Sequence, residues 1–128
     1  MIKLNTDAAT LGNPGPAGAG ILIVANGQQD QSHLHLPNMS NHEAEFAAAI
    51  AGFKRLHALN LQGLVSFASD SKLVIQSLDK RYAKHYQPQV DELLALIESF
   101  DQVLWQWVPE RENRGAHMLA QQGLHAAD

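Results

Sequence analysis

Ala19-Gly20-Ile21-Leu22-Ile23-Val24-Ala25-Asn26-Gly27 is the stretch on which the fold turns. Its β-branched apolar centre suits a buried strand, and Asn26-Gly27 supplies the two residues that best accept the positive φ of a tight hairpin turn. The partner strand runs from Gln29 to Leu36, alternating through His33, Leu34 and His35, and Pro37 is expected to stop it. Upstream, Ile2, Leu4 and Thr6 alternate with Lys3, Asn5 and Asp7, so residues 2–8 read as a first strand. Leu11-Gly12-Asn13-Pro14-Gly15-Pro16, dense in turn formers, then returns the chain. Two hairpins therefore open the sequence.

The period changes at Ser40-Asn41-His42-Glu43, which has the form of a capping box, with Ser answered by Glu three residues later. An alanine-rich helix follows to Leu59, and its small and apolar residues Ala44, Ala47, Ala48, Ile50 and Ala51 let it lie close on a sheet. Leu64 to Ala68 is a short strand ending at Ser69-Asp70, and Lys72 to Leu78 is a helix. Pro88 opens another helix through Phe100. Val103 to Val108 is a last strand, stopped by Pro109. From Glu112 onwards a terminal helix aligns Ala116, Leu119, Ala120 and Leu124 on one face. The order β-β-β-α-β-α-α-β-α implies a mixed α/β sheet flanked by helices, because hairpins pair antiparallel neighbours whereas parallel ones need a crossover.

At 128 residues and 45% hydrophobic, the chain reads as one domain, 1–128, with no repeat or linker. It has no cysteine, which excludes disulfides and thiolate-bound zinc. No basic start precedes an apolar run, and no stretch approaches the roughly 20 apolar residues that span a bilayer. A cytoplasmic protein with no membrane partner is expected. The formal charge of −4 argues against electrostatic gripping of nucleic acid, although two bound divalent cations would neutralise it.

Three acids fall at places where such a fold can gather them. Asp7 lies near the end of the first strand, Asp70 at the end of the fourth, and Glu45 one turn into the first helix. Open α/β sheets place ligands at the carboxyl ends of their strands. Three carboxylates a few ångströms apart repel unless a cation neutralises them, and hard oxygen donors suit Mg²⁺ or Mn²⁺ and phosphate chemistry. Thirteen acids are available, so the alternative is three ordinary surface carboxylates.

These residues lie in blocks that resemble type 1 ribonuclease H in its small cellular form, without a separate hybrid-binding domain. The blocks are Asp7-Ala8-Ala9-Thr10 with Gly12 to Gly18, Ser40 to Phe46, Asp70-Ser71-Lys72-Leu73-Val74, and Val108-Pro109 through Asn113 to Ala116-His117-Met118-Leu119-Ala120. Together they cover nearly the whole chain in the family's order. The resemblance implies a ribonuclease-H-like, five-stranded mixed sheet of order 3-2-1-4-5 and an endonuclease that cuts the RNA strand of RNA/DNA hybrids with two divalent ions; a monomer is expected. Asp7 would bridge both ions, and Glu45 and Asp70 would complete one of the two sites. His117 stands where the family usually has an aspartate holding the water-activating metal. A neutral imidazole there favours Mn²⁺ over Mg²⁺. Alternatively His117 moves protons near product release, or is an idle helix histidine. The alternative function is a weakened ribonuclease-H-like module that binds nucleic acid or protein.

The resemblance also assigns Asn41, His42 and Lys72 to the hybrid's minor groove, where 2′-hydroxyls mark the RNA strand. It assigns Ser40 to a DNA phosphate, and Asn13 is counted among the substrate contacts. The family often has glycine at Ala8 and the order Arg-Glu at Glu110-Arg111. The basic, aromatic run Lys80-Arg81-Tyr82-Ala83-Lys84-His85-Tyr86 either touches the DNA backbone or is a solvated loop with Tyr82 covering the core. Trp105 and Trp107 read as core residues. His33 and His35 have no tight second pair nearby, so no zinc site is expected.

Overall fold

The computed structural model describes residues 1–126. Its elements are β1 (Ile2–Thr10), β2 (Gly15–Ala25), β3 (Gln28–Met39), α1 (Asn41–Ala58), β4 (Leu64–Ser69), α2 (Lys72–Lys80), α3 (Gln87–Glu98), β5 (Gln102–Trp107), a 3₁₀ turn (Glu110–Glu112) and α4 (Arg114–His125). The strands form one sheet in the order β3-β2-β1-β4-β5. β1 pairs antiparallel with β2 and β2 with β3, while β1–β4 and β4–β5 are parallel. The expected order and mixed character are both present. No helix among the described residues is long and apolar enough to cross a membrane.

Alternation along β2 distributes the helices. Ile21 and Ile23 join Leu4, Phe46, Phe53, Leu56 and Phe67 in the main core beneath α1. Gly18 and Gly20 face the other way, toward α4, where a Cβ on Gly20 would stand 2.1 Å from the Ala116 carbonyl oxygen and one on Gly18 2.1 Å from the Leu124 nitrogen. Only glycine admits so close an approach of helix backbone to strand. On the opposite face Gly52 of α1 gives way to Thr6 and Leu4 in the same manner.

Several boundaries differ from the sequence expectation, three of them with a clear physical reason. β1 continues past Asp7 to Thr10 because its hairpin partner begins at Gly15 and pairs Thr10 with Ala17. β3 passes through Pro37 to Met39, with a register shift opposite Gly15–Ala17. An edge strand with a bulge tolerates a residue that cannot donate to the ladder. The last helix starts at Arg114, after the 3₁₀ turn.

Candidate metal and nucleic-acid site

Parallel pairing between β1 and β4 ends at Thr6 with Ser69, so Asp7 and Asp70 are each the next residue beyond the last pair. The turn carrying Asp70 is held by side chains. Ser71 N–H donates to Ser69 Oγ at 3.0 Å, Val74 N–H to Ser71 Oγ at 3.2 Å, and the Trp107 indole N–H to the Asp70 carbonyl at 3.0 Å. Glu45 enters from α1, whose start is fixed by the expected capping box. Glu43 N–H donates to Ser40 Oγ and Ser40 N–H to Glu43 Oε1, each at 3.1 Å.

One carboxylate oxygen each from Asp7, Glu45 and Asp70 lies within 4.8 Å of the other two. Asp7 is 2% exposed, and Glu45 Oε1 is sealed from solvent without a hydrogen-bond partner. Burial, and then the negative charges of Asp7 and Asp70, push the Glu45 carboxyl up to about 9. Burial, followed by Asp7 and Glu110, raises Asp70 to about 7, against a smaller lowering by His117. Two neighbouring acids with raised pKa, and a sealed Glu45 oxygen without a partner, fit a divalent cation, toward which carboxylates are hard donors.

His117 Nδ1 stands 2.8 Å from Asp7 Oδ2. Opposite an ionised Asp7, which can only accept, Nδ1 is the donor, and in the neutral imidazole Nε2 is then the nitrogen with the free lone pair. Nε2 lies 3.9 Å from Glu110 Oε1. His117 thus adjoins the three acids through Asp7 rather than belonging to the tight group itself. Asn113 sets this arrangement: its side chain bridges β1, donating to the Thr6 carbonyl and accepting from Asn5 Nδ2, both at 2.9 Å, while its carbonyl accepts from His117 N–H at 3.0 Å.

A cleft of about 330 Å³ is lined by Asp7, Ala8, Glu45, Asp70, Glu110 and His117. Glu110 was not singled out as a site residue from the sequence. The available signal was its reversed order with Arg111, which puts an acid first in the turn after Pro109. A neighbouring cleft of about 400 Å³ is lined by Ala8, Thr10, Asn41, His42, Glu45, Ser71, Lys72 and Leu73. Asn13 Oδ1 accepts from Asn41 N–H at 2.9 Å, and Thr10 Oγ1 donates to Asn41 Oδ1, which ties the first turn to the start of α1. Asn41, His42 and Lys72 thus line a cleft that shares Ala8 and Glu45 with the acidic one, while Asn13 is bonded to Asn41 and Ser40 is the cap residue before it.

One alternative reading of the basic run and one expectation about the tryptophans are corrected. Tyr82 is 56% exposed and covers no core; Tyr86 does so instead, packing on Phe46 at 5.5 Å between ring centroids and on His42 at 6.0 Å. Trp105 packs against the core as expected, whereas Trp107 is 41% exposed. In the basic run, Arg81 is engaged by Glu98 at 2.8 Å, leaving Lys80 and Lys84 exposed. His33 and His35 enter no group of metal-ligating side chains among the described residues.

A family model described as reverse transcriptase-like matches residues 5–123. EbsB of Enterococcus faecalis, a protein whose name goes no further than hydrolase, is 42% identical over 127 residues, covering 97% of this chain and 94% of that protein. A ribonuclease H of Pseudomonas entomophila is 30% identical over 140 residues, covering 96% and 93%. The solved RNase H1 of Halobacterium salinarum is 25% identical and superposes with a TM-score of 0.91 over 98% of each chain. Strand order, the placing of the acids and these likenesses agree along nearly the full length, and the chain belongs to the ribonuclease H family.

Proposed function

We propose that the chain hydrolyses the RNA strand of RNA/DNA hybrids, with Asp7, Glu45 and Asp70 holding divalent cations and His117 completing the site beside Asp7. The supporting observation is the three-acid cluster, whose donors lie within 4.8 Å of one another and in which Glu45 Oε1 is sealed without a hydrogen-bond partner. Divalent cations bound there supply Lewis-acid polarisation of the scissile phosphate and a water acidified for attack. Asp7, which belongs to the cluster and is also bonded to His117, would link the acids to the histidine. Glu45 and Asp70 give up their protons when the site is loaded. His117 offers Nε2, the nitrogen not used on Asp7, as a donor that favours Mn²⁺ over Mg²⁺.

Asn41, His42 and Lys72 line the adjoining cleft, where their donors suit the 2′-hydroxyls and base edges of a minor groove. Asn13 braces Asn41. Ser40 caps α1 through its oxygen lone pair, which leaves its hydroxyl hydrogen for a phosphate. The test is cleavage of an end-labelled RNA/DNA hybrid in Mg²⁺ and in Mn²⁺, with Asp70→Asn as control. Cleavage confined to the RNA strand, faster in Mn²⁺, and reduced by about a thousandfold or more in the Asn variant is the expected result, since each cation ligand is asked to supply several kcal/mol. An intact hybrid in both metals would overturn the proposal.

A further inference from the structure

The indole of Trp107 stands at the rim of the site without joining the core. Among the apolar side chains that pack on the main cluster, Trp105 is present and Trp107 is not. What Trp107 touches instead is polar. Its backbone pairs with Ser69, and its ring reaches one residue further, where Nε1–H donates to the Asp70 carbonyl at 3.0 Å. Lys72 Nζ lies 5.0 Å from the centroid of the same ring. One side chain of the edge strand therefore holds both the main chain of an acid in the cluster and the ammonium at the first position of α2. Trp105, two residues earlier, makes the matching bond at the other end of that helix, donating to Asp79 Oδ1 at 2.7 Å.

A lysine ammonium on four rotatable carbons normally samples many positions, at a rotamer entropy cost when any one is required. A π face beneath the charge narrows that range without neutralising it, whereas a carboxylate partner would cancel the attraction for a polyanion. Trp107 can serve as such a platform because its ring plane is already fixed by the bond to Asp70. The geometry points to Trp107 as a positioning residue for hybrid cleavage, holding Lys72 over its indole for the nucleic acid and anchoring the Asp70 turn through its N–H. This inference rests on the functional reading above and adds a residue to it.

The experiment is steady-state hybrid cleavage in Mn²⁺ at several salt concentrations, for the wild type, Trp107→Phe, Trp107→Leu, Lys72→Met and the Trp107→Leu/Lys72→Met pair. Trp107→Phe keeps a π face and loses the N–H, so kcat falls while KM stays within about twofold. Trp107→Leu raises KM a further 2- to 5-fold, the range expected for one exposed cation–π contact. It also flattens the dependence of log(kcat/KM) on log[salt] by up to about 0.9, because an ammonium no longer held at the minor groove ceases to neutralise a neighbouring phosphate. Lys72→Met produces the same KM and salt effects, and the double variant is no worse in KM than Lys72→Met alone. Independent, multiplying effects on KM, or an unchanged salt slope in Trp107→Leu, would overturn the inference while leaving hybrid cleavage intact. A wild type that neither binds nor cleaves the hybrid would remove the functional reading, and this inference with it.

Discussion

Replacing Glu45 with glutamine should stabilise the metal-free protein, and by an amount that grows with pH. The side chains are nearly isosteric, and the carboxyl is largely buried, with Oε1 sealed and unpartnered. Its pKa is raised from an ordinary 4.5 to about 9, so the folded state keeps a proton that the unfolded chain releases above pH 4.5. For a raised acid, stability is full below the unfolded value and drains away as pH rises toward the folded one. Between pH 4.5 and 7 the drain is two and a half pH units at about 1.4 kcal/mol each, or about 3 kcal/mol. Glutamine does not titrate and escapes it. Urea denaturation in a chelator should therefore show the Gln variant gaining on the wild type by about 3 kcal/mol over that interval, equivalent to about 10 °C in Tm for a chain of this size. Added Mn²⁺ at a hundred times its Kd should raise the wild type by about 2.7 kcal/mol and the variant by much less. Parallel pH profiles for the two proteins, or equal stabilisation by metal, would refute the account of Glu45 as a cation-seeking acid.

His117→Asp should raise the Mg²⁺-supported rate relative to the Mn²⁺-supported one, measured as the ratio of initial cleavage rates; a ratio unchanged from wild type would remove His117 from the metal's surroundings. Gly20→Ala should cost about 3 kcal/mol in urea and lower cleavage with it, because the new Cβ would sit 2.1 Å from the Ala116 carbonyl oxygen. Arg55→Ala breaks a two-point pair with Asp30, at 2.8 and 2.9 Å. The pair is only partly buried, so the loss should be about 1 kcal/mol with no change in cleavage. Arg55 holds the Asp30 carboxyl below the usual range, so the pair's benefit is present at neutral pH and should fade as pH falls through that lowered value.

Local rules carried the sequence reading a long way. The Asn26-Gly27 turn and the Ser40 capping box are set by neighbours within a few residues, and both occur where expected. Asp7, Glu45 and Asp70 were legible as a site because each sits at a junction that the element order alone identifies. The end of a strand is different, since it is decided by its partner. Asp7 lies inside β1, and what makes it a terminal residue is that β4 stops beside Thr6. Pro37 could not be placed from its own chemistry either, because a proline that breaks a central strand is harmless on an edge. Burial of single aromatics was the least legible property: Tyr82 and Tyr86 are four residues apart in one loop, and only packing on Phe46 distinguishes them. Glu110 escaped notice for a related reason. Its relation to His117 runs across a turn and a helix start, a distance that no sequence period encodes.

The backbone contact between β2 and α4 has a mechanical result. Where helices rest on side chains, they slide by an ångström or so as those side chains exchange rotamers; at Gly18 and Gly20 no such cushion separates the two main chains. α4 is thereby seated directly on the β2 main chain. Because His117 rides on that helix, its contact with Asp7 depends on this seating, and a substitution that lifts α4 from β2 should break the contact while leaving the acids on β1, α1 and β4 in place.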